Sequence, residues 1–521
     1  MTWLIASVRA KSMEELRQQA AAAWRGGADC VELRIDEFHG DPGAIAAYLE
    51  SHDQRTWILT CRSVAEGGSC ADDPPERAKR LKQARGRSGA VIDFEYADFR
   101  TSSDLRESIL GRTGVSNQDA RVGILSHHAF DGGPPDVPAL GGAMTRLFPP
   151  MIPKIAYSSQ DITDTFAALD AMHAAKTPLI AVAMDEAGAW TRVLAGKFGA
   201  FGTYATLDPD GPTAPGQISL ARMMAIYRWN RINAETAVFG VLGDPVAHSM
   251  GPQLFNDWFE LHGVNAVYLT LTVSQATGCL KRFLDGCRRR PWLDIGGFSV
   301  TIPHKEAVLA YAASGADGVA RSIGAANTLV VKDETWTAHN TDSYAAIDAL
   351  CGSLACDRRD LAGLSAAVLG CGGAARAVLA GLQACGCRTT VYGRAPEKTH
   401  QVAKAFDAAP KPWTERAQTT CDLLVNATPI GMSPRQDASP MPLAGLKRQR
   451  LVFDLIYNPL ETKLLLDARS RGVATLGGLE MFVRQAAAQF ELWTGQTPNL
   501  AHARHAVTQC LSQEPAGKTE A

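Results

Sequence analysis

Along the first 230 residues, short runs rich in apolar, β-branched and aromatic side chains recur: TWLIASV (2–8), CVELRI (30–35), WILTCR (57–62), AVIDFEY (90–96), RVGILSHH (121–128), MIPKIAY (151–157), PLIAVAMD (178–185) and FGTYAT (201–206). Between them lie stretches of helical period such as SMEELRQQAAAAWRGG and DITDTFAALDAMHAA. Strands alternating with helices in this way predict an α/β protein that opens with a (β/α)8 barrel over 1–232. In such a barrel, ligands bind at the C-terminal ends of the strands. The polar residues gather there: Glu32, Arg34, Arg62, Glu95, His127, His128 and Lys154. Chance would scatter them.

The strand MIPKIAY breaks the apolar rule. Lys154 shares a face with Ile152 and Ala156, while Met151, Pro153, Ile155 and Tyr157 form the other. A lysine in that setting is either ion-paired with a barrel carboxylate or used as a nucleophile. The second use needs the free amine, so burial or nearby cations must lower its pKa from about 10.4.

The pattern breaks near 233–236. TAVFGVLG, AVYLTLT, IGGFSVTI and NTLVVK then read as strands of a smaller α/β unit over 236–342, completed by C-terminal helices at 477–505. LSAAVLGCGGAARAVLAGLQACGCRTTVYGR gives strand, glycine-rich turn, helix and strand, the start of a nucleotide-binding Rossmann domain over 343–476. The tail, 506–521, is expected to be disordered. The turn contains Gly370, Gly372, Gly373 and Ala374 in a GxGxxA arrangement. It is either a pyrophosphate cradle at a helix N-terminus or a plain tight turn. Arg394 follows the next strand, where NAD enzymes carry an acid. A cation there suits the 2′-phosphate of NADP, and the alternative is a surface arginine near a strand end.

Composition narrows the classes. A net charge of −2, with 46% hydrophobic and 20% charged residues, gives no electrostatic case for nucleic acid or an anionic membrane. No apolar run reaches the roughly 18–20 residues of a membrane span. MTWLIASVRA enters strand-like sequence at once, so no leader is expected. Twelve scattered cysteines without paired zinc spacing point to reduced thiols, a cytoplasmic address and no metal site.

The motifs then carry two resemblances. GDPVAHSMGP, GFSVTIPHKE, GAANTL, HNTDS, VNATPIGM, FDLIYNP and GGLEMFVRQAA occur in an order that resembles shikimate dehydrogenase across 236–505. The resemblance implies that Lys305 and Asp342 form the catalytic pair, supplying a proton to the alkoxide that hydride reduction creates. It implies substrate contacts from Ser249, Thr301, Asn327, Tyr457 and Gln485. It also implies an NADP side made of Gly370, Gly372, Gly373, Ala374, Arg394, Asn426, Thr428 and Met432. Read without it, Lys305 is equally a solvated lysine beside Glu306. The family's HSxSP reads His248-Ser249-Met250-Gly251-Pro252, and its NRT reads Gly393-Arg394-Ala395. Gly251 removes one hydroxyl and opens space beside ring carbon 1, so quinate is expected to be accepted more readily. Turnover on quinate against shikimate, with and without Gly251→Ser, tests this, and no quinate oxidation with no effect of the serine refutes it.

In the first 230 residues, ELRID, TCRxxxEGG, SHHAF, PKIA, MDEAGAWTR and APGQ resemble type I 3-dehydroquinate dehydratase. By that resemblance Lys154 forms the Schiff base, His128 rather than His127 moves protons, and Glu66 orients it. Arg192 clamps the substrate carboxylate. Glu32, Arg34, Arg62 and Gln217 contact ring hydroxyls and the carboxylate, and Thr213 replaces the usual serine. The whole chain thus resembles the plant family that fuses the two enzymes, taking small-molecule substrates (3-dehydroquinate, 3-dehydroshikimate, shikimate) with NADPH. Three other readings stay open. One is a catabolic pair fed by quinate, and another is a class I aldolase barrel. The last is a non-catalytic quinate-responsive regulator, which should lack Lys154, His128, Lys305 or Asp342.

Overall fold

The computed structural model describes residues 2–110, 123–147, 151–207, 214–447 and 449–513. The chain divides into two compact units, Met1–Ala237 with Asn265–Asp294, and Val238–Val264 with Ile295–Ala521. Among the described residues no helix is long and apolar enough to cross a membrane.

The first unit is the barrel. Its strands are β1 (Trp3–Arg9), β2 (Cys30–Arg34), β3 (Trp57–Thr60), β4 (Val91–Glu95), β5 (Gly123–Ala129), β6 (Met151–Ser158), β7 (Ile180–Met184) and β8 (Gly202–Thr206). The sheet runs β7-β6-β5-β4-β3-β2-β1-β8, with β1 parallel to both β2 and β8. Alternation decides what fills the middle. Ile5, Cys30, Ile58, Ile124, Ile152, Ala156, Ile180, Val182 and Tyr204 pack together inside. Register sets Ser126 beside Lys154 and Thr60 beside Asp93, so adjacent strands pair polar side chains. Side-chain caps start several outer helices: Ser12 accepts from the Glu15 amide and Asp73 from the Glu76 amide. Strand β10 (Ala266–Thr272) also falls in this unit.

In the second unit, β9 (Ala237–Gly243) runs parallel to β11 (Ile295–Val300). Strands β12 (Thr328–Lys332) and β13 (Thr335–His339) continue antiparallel. A six-stranded parallel sheet follows in the order β16-β15-β14-β17-β18-β19. Its strands are β14 (Ser365–Leu369), β15 (Arg388–Gly393), β16 (Ala409–Pro412), β17 (Leu423–Asn426), β18 (Leu451–Asp454) and β19 (Ala474–Leu476). The chain order reverses beside β14, which places a crevice at its C-terminal end. The C-terminal segment corrects the expectation over 506–513, while 514–521 lie outside the described residues. Helix Leu500–Gln513 continues past 506 because Ala503 and Val507 are buried, and that burial orders the backbone.

Candidate active sites

At the C-terminal ends of the barrel strands, a cavity of about 110 Å³ is lined by Glu32, Arg34, Arg62, Glu66, His128, Lys154, Arg192, Tyr204 and Gln217, among others. Lys154 is 6% exposed. Its Nζ donates to Asp93 Oδ2 at 3.0 Å and lies 3.8 Å from Glu32 Oε1. Asp93 Oδ1 accepts from Arg62 at 2.8 Å and from Ser126 Oγ at 2.6 Å. Although buried, Asp93 is held down at about 2 by the two cations and these hydrogen bonds. Glu32 accepts from Ser7 and Thr60 hydroxyls at 2.7 and 2.8 Å. Arg34 makes a two-pronged contact with Asp36 at 2.9 and 2.8 Å.

His128 Nδ1 meets Glu66 Oε2 at 2.8 Å. Burial and the cations Arg62, Lys154 and Arg34 push the imidazole well below its ordinary value, so it is neutral at physiological pH. Burial, with Glu95 and Asp93 close by, pushes Glu66 up to about 8 against the pull of Arg62. Glu66 reaches this position from the short turn Val64–Glu66, which Glu95 anchors through the Ser63 amide and hydroxyl, both at 2.8 Å. His127, half-buried, has no place in the cavity lining. Arg192 is 2% exposed, donates to the Pro215 carbonyl at 3.2 Å, and leaves Nε without a partner. Burial lowers its pKa to about 10. A guanidinium buried this deeply with an unpaired edge is a receptor for a planar anion. Thr213 lies outside the described residues.

In the second unit, Lys305 begins helix Lys305–Tyr311 and Asp342 begins helix Asp342–Leu354. Nζ of Lys305 donates to Asp342 Oδ2 at 2.5 Å, and Asn327 Nδ2 donates to Oδ1 at 2.8 Å. Asn327 also reaches Thr341 Oγ1 at 2.9 Å and Gln485 Oε1 at 3.3 Å. Gln489 fixes this level by donating to the Asn327 carbonyl and to Thr328 Oγ1, each at 3.0 Å. Thr301 is half-buried just past β11, and the Tyr457 ring stacks on Phe482 at 4.2 Å between centroids. Ser249 Oγ accepts from the amide of buried Gly251 at 3.1 Å.

The glycine-rich turn follows β14. Gly370 has φ +116°, and a Cβ there would come within 2.9 Å of the Ala427 carbonyl. Gly372 opens helix Gly373–Ala384 with no side-chain cap, and a Cβ on it would meet nothing within 4 Å. A Cβ on Gly373 would lie 2.9 Å from Lys305 Cδ, so this turn abuts the lysine. Arg394 is exposed immediately after β15. Asn426 is fully buried: it donates to Asp454 at 2.9 Å and accepts from the Thr428 amide and hydroxyl. It shapes the segment that presents Thr428 and the partly exposed Met432.

Comparison with known proteins gives the family. The family described as Type I 3-dehydroquinase matches residues 4–234. Shikimate dehydrogenase substrate binding domain matches 241–329, and Shikimate 5′-dehydrogenase C-terminal domain matches 478–508. The bifunctional 3-dehydroquinate dehydratase/shikimate dehydrogenase of Arabidopsis thaliana, a chloroplastic protein, is 31% identical over 94% of this chain and 82% of its own. The chain belongs to this bifunctional family. The NADP(+) shikimate dehydrogenase of Moorella thermoacetica is 39% identical over 52% of the chain and 92% of its own. A crystal structure of a shikimate dehydrogenase with NADP+ covers 54% of this chain and 97% of its own at 34% identity, with a TM-score of 0.49. The chain therefore joins a lyase domain to an oxidoreductase domain.

Several residues outside the motifs also shape the two sites. Asp93 and Ser126 bracket Lys154, Tyr204 lies beneath it, and Gln489 braces Asn327. Asp93 had a signal: it alternates with Glu95 in AVIDFEY, opposite Ile92 and Phe94. Among the described residues no group of three His, Cys, Asp or Glu could hold a metal.

The Glu66–His128 pair sets a pH dependence. Below about 8, Glu66 keeps its proton and shares it with Nδ1, which leaves the other ring nitrogen carrying hydrogen. Above it, the carboxylate accepts from Nδ1–H and frees Nε2 as a base. Dehydratase kcat/KM should therefore rise with pH through about 8 and level off above it. Glu66→Gln should flatten that limb while keeping activity within about tenfold. A limb unchanged in the variant would assign it to another group.

Proposed function

We propose that the barrel dehydrates 3-dehydroquinate to 3-dehydroshikimate through a Schiff base on Lys154, and that the second unit reduces 3-dehydroshikimate to shikimate with NADPH. The domains are 1–232, 236–342 with 477–505, and 343–476. One observation carries the first half: a buried lysine shares its cavity with a neutral histidine and an arginine that has an unpaired edge.

As a free amine, Lys154 Nζ bonds to carbon 3 of the ketone, whose oxygen leaves as water, and the resulting imine is protonated. Electron withdrawal toward that nitrogen makes a carbon 2 proton removable. His128 takes the proton and returns it to the carbon 1 hydroxyl, which departs as water and leaves the double bond. Water then releases the product and restores the amine. Arg192 pairs with the substrate carboxylate throughout, holding carbon 2 against the imidazole.

The second half rests on Lys305 and Asp342 beside a turn that fits a dinucleotide. The uncapped helix at Gly372–Gly373 leaves amide donors and open space for a pyrophosphate, and Arg394 suits the 2′-phosphate. Bound there, NADPH supplies the hydride. Lys305, held by Asp342, delivers a proton to the substrate oxygen as it becomes a hydroxyl. Asn327, Gln485, Thr301 and Ser249 hold the ring hydroxyls and carboxylate. The twelve cysteines are free, which supports a reducing, cytoplasmic setting.

A single cuvette tests the whole reading. With dehydroquinate and NADPH, absorbance of the reduced cofactor should fall, because both sites act in turn. Loss from dehydroshikimate but not from dehydroquinate would refute the barrel half, and no loss from either would refute the second.

A further inference from the structure

We propose that Tyr204 is a positioning residue of the barrel site, its ring face forming the seat on which the Lys154 nitrogen carries positive charge through the reaction. The inference rests on the Schiff-base role given to Lys154 above.

Tyr204 occupies the middle of β8, inside the barrel, packed with the apolar cluster that includes Ile152 and Ala156. It lines the same cavity as Lys154 and is 5% exposed. Nζ of Lys154 lies 4.1 Å from its ring centroid, while Asp93 Oδ2 holds the same nitrogen at 3.0 Å. The amine is thus gripped between a carboxylate and an aromatic face.

The tyrosine hydroxyl is buried and has no hydrogen-bond partner. A buried hydroxyl without a partner is unfavourable, so the position is not explained by that group. It is explained by the ring. Burial, with Glu32 and Asp93 nearby, pushes the phenol's ionisation well up, and the ring therefore stays neutral.

An aromatic face does something a second carboxylate cannot. The Lys154 nitrogen is cationic as the protonated imine. A carboxylate stabilises that charge, but it also accepts protons. The ring attracts the charge through its quadrupole while offering no lone pair to remove the iminium proton. It also excludes water from one side of the nitrogen, which strengthens the remaining electrostatics.

The test uses the full-length chain with Tyr204→Phe, Tyr204→Leu and a series of fluorinated phenylalanines at position 204, which keep the shape and weaken the ring face. The readouts are dehydratase kcat and the rate of borohydride trapping on Lys154 with 3-dehydroquinate, followed against pH. Tyr204→Phe, which keeps the ring face, should lose less activity than Tyr204→Leu. Tyr204→Leu should trap and turn over roughly five- to thirtyfold more slowly, with the trapping profile shifted to lower pH because the protonated imine is less favoured. Activity should fall stepwise along the fluorinated series, which separates the effect from misfolding.

Three results would overturn the proposal: wild-type rate and pH profile in Tyr204→Leu, a flat fluorinated series, or Tyr204→Phe as impaired as Tyr204→Leu. Wild-type protein that gains no mass on Lys154 would instead overturn the Schiff-base reading on which the proposal stands.

Discussion

Replacing Lys154 by methionine should abolish dehydration while the same chain keeps its full dehydrogenase rate. The expected fall in dehydratase kcat is at least about a thousandfold, because no other side chain can supply the imine on which the carbon 2 proton depends. Fold should survive. Asp93, the carboxylate that loses its lysine, keeps Arg62 at 2.8 Å and Ser126 at 2.6 Å. Methionine fills a similar volume among Ile152, Ala156 and Ile180, so the stability change should stay below about 1.5 kcal/mol. Borohydride added with 3-dehydroquinate should attach substrate mass to Lys154 in wild type and to no residue in the variant. Turnover retained by Lys154→Met, or mass found on another lysine, would remove the mechanism. The unaffected dehydrogenase serves as the internal control for protein concentration.

The strand carrying Lys154 shows how far pattern reading reaches. Period-two alternation sufficed to set Ile152, Lys154 and Ala156 on one face, and eight such runs sufficed for the barrel. Alternation says nothing about which neighbour fills the space beside a side chain, because that depends on register between strands far apart in sequence. Asp93 is 61 residues before Lys154, and Tyr204 is on the opposite side of the sheet order. Neither contact leaves a local mark. Glu95 illustrates the same gap: its place at a strand end does not reveal that it anchors the turn carrying Glu66. In the second unit, Lys305 and Asp342 stand 37 residues apart, and only their shared partner network makes them a pair. Asn426 was legible as part of a motif but not as a buried brace, since burial is a property of the packed sheet. The segment after 506 departs from expectation for the opposite reason. Disorder is expected of a chain terminus, yet Ala503 and Val507 are buried in a helix that runs to Gln513.

Asp342→Asn should damage the dehydrogenase more than the loss of one charge implies. Each carboxylate oxygen already faces a donor: Lys305 Nζ at 2.5 Å on Oδ2 and Asn327 Nδ2 at 2.8 Å on Oδ1. An asparagine offers one acceptor and one NH2, so whichever way the amide turns, a donor confronts a donor. If the NH2 faces Lys305, the ammonium loses its anchor and the proton it must deliver is misplaced. If it faces Asn327, that side chain turns away from Thr341 and Gln485, and the substrate hydroxyl contacts are lost with it. The first case lowers kcat and the second also raises KM. The expected outcome is a kcat reduced by about 10²–10⁴-fold. Stability of the second unit should drop by about 1–3 kcal/mol, from a buried polar group left unpaired. Dehydratase activity should not change. Lys305→Ala gives the matching test. If the two residues work as one proton-delivering unit, the double variant should be scarcely slower than either single variant. Multiplicative losses in the double variant, or an Asp342→Asn enzyme within tenfold of wild type, would show that the pair does not deliver the proton.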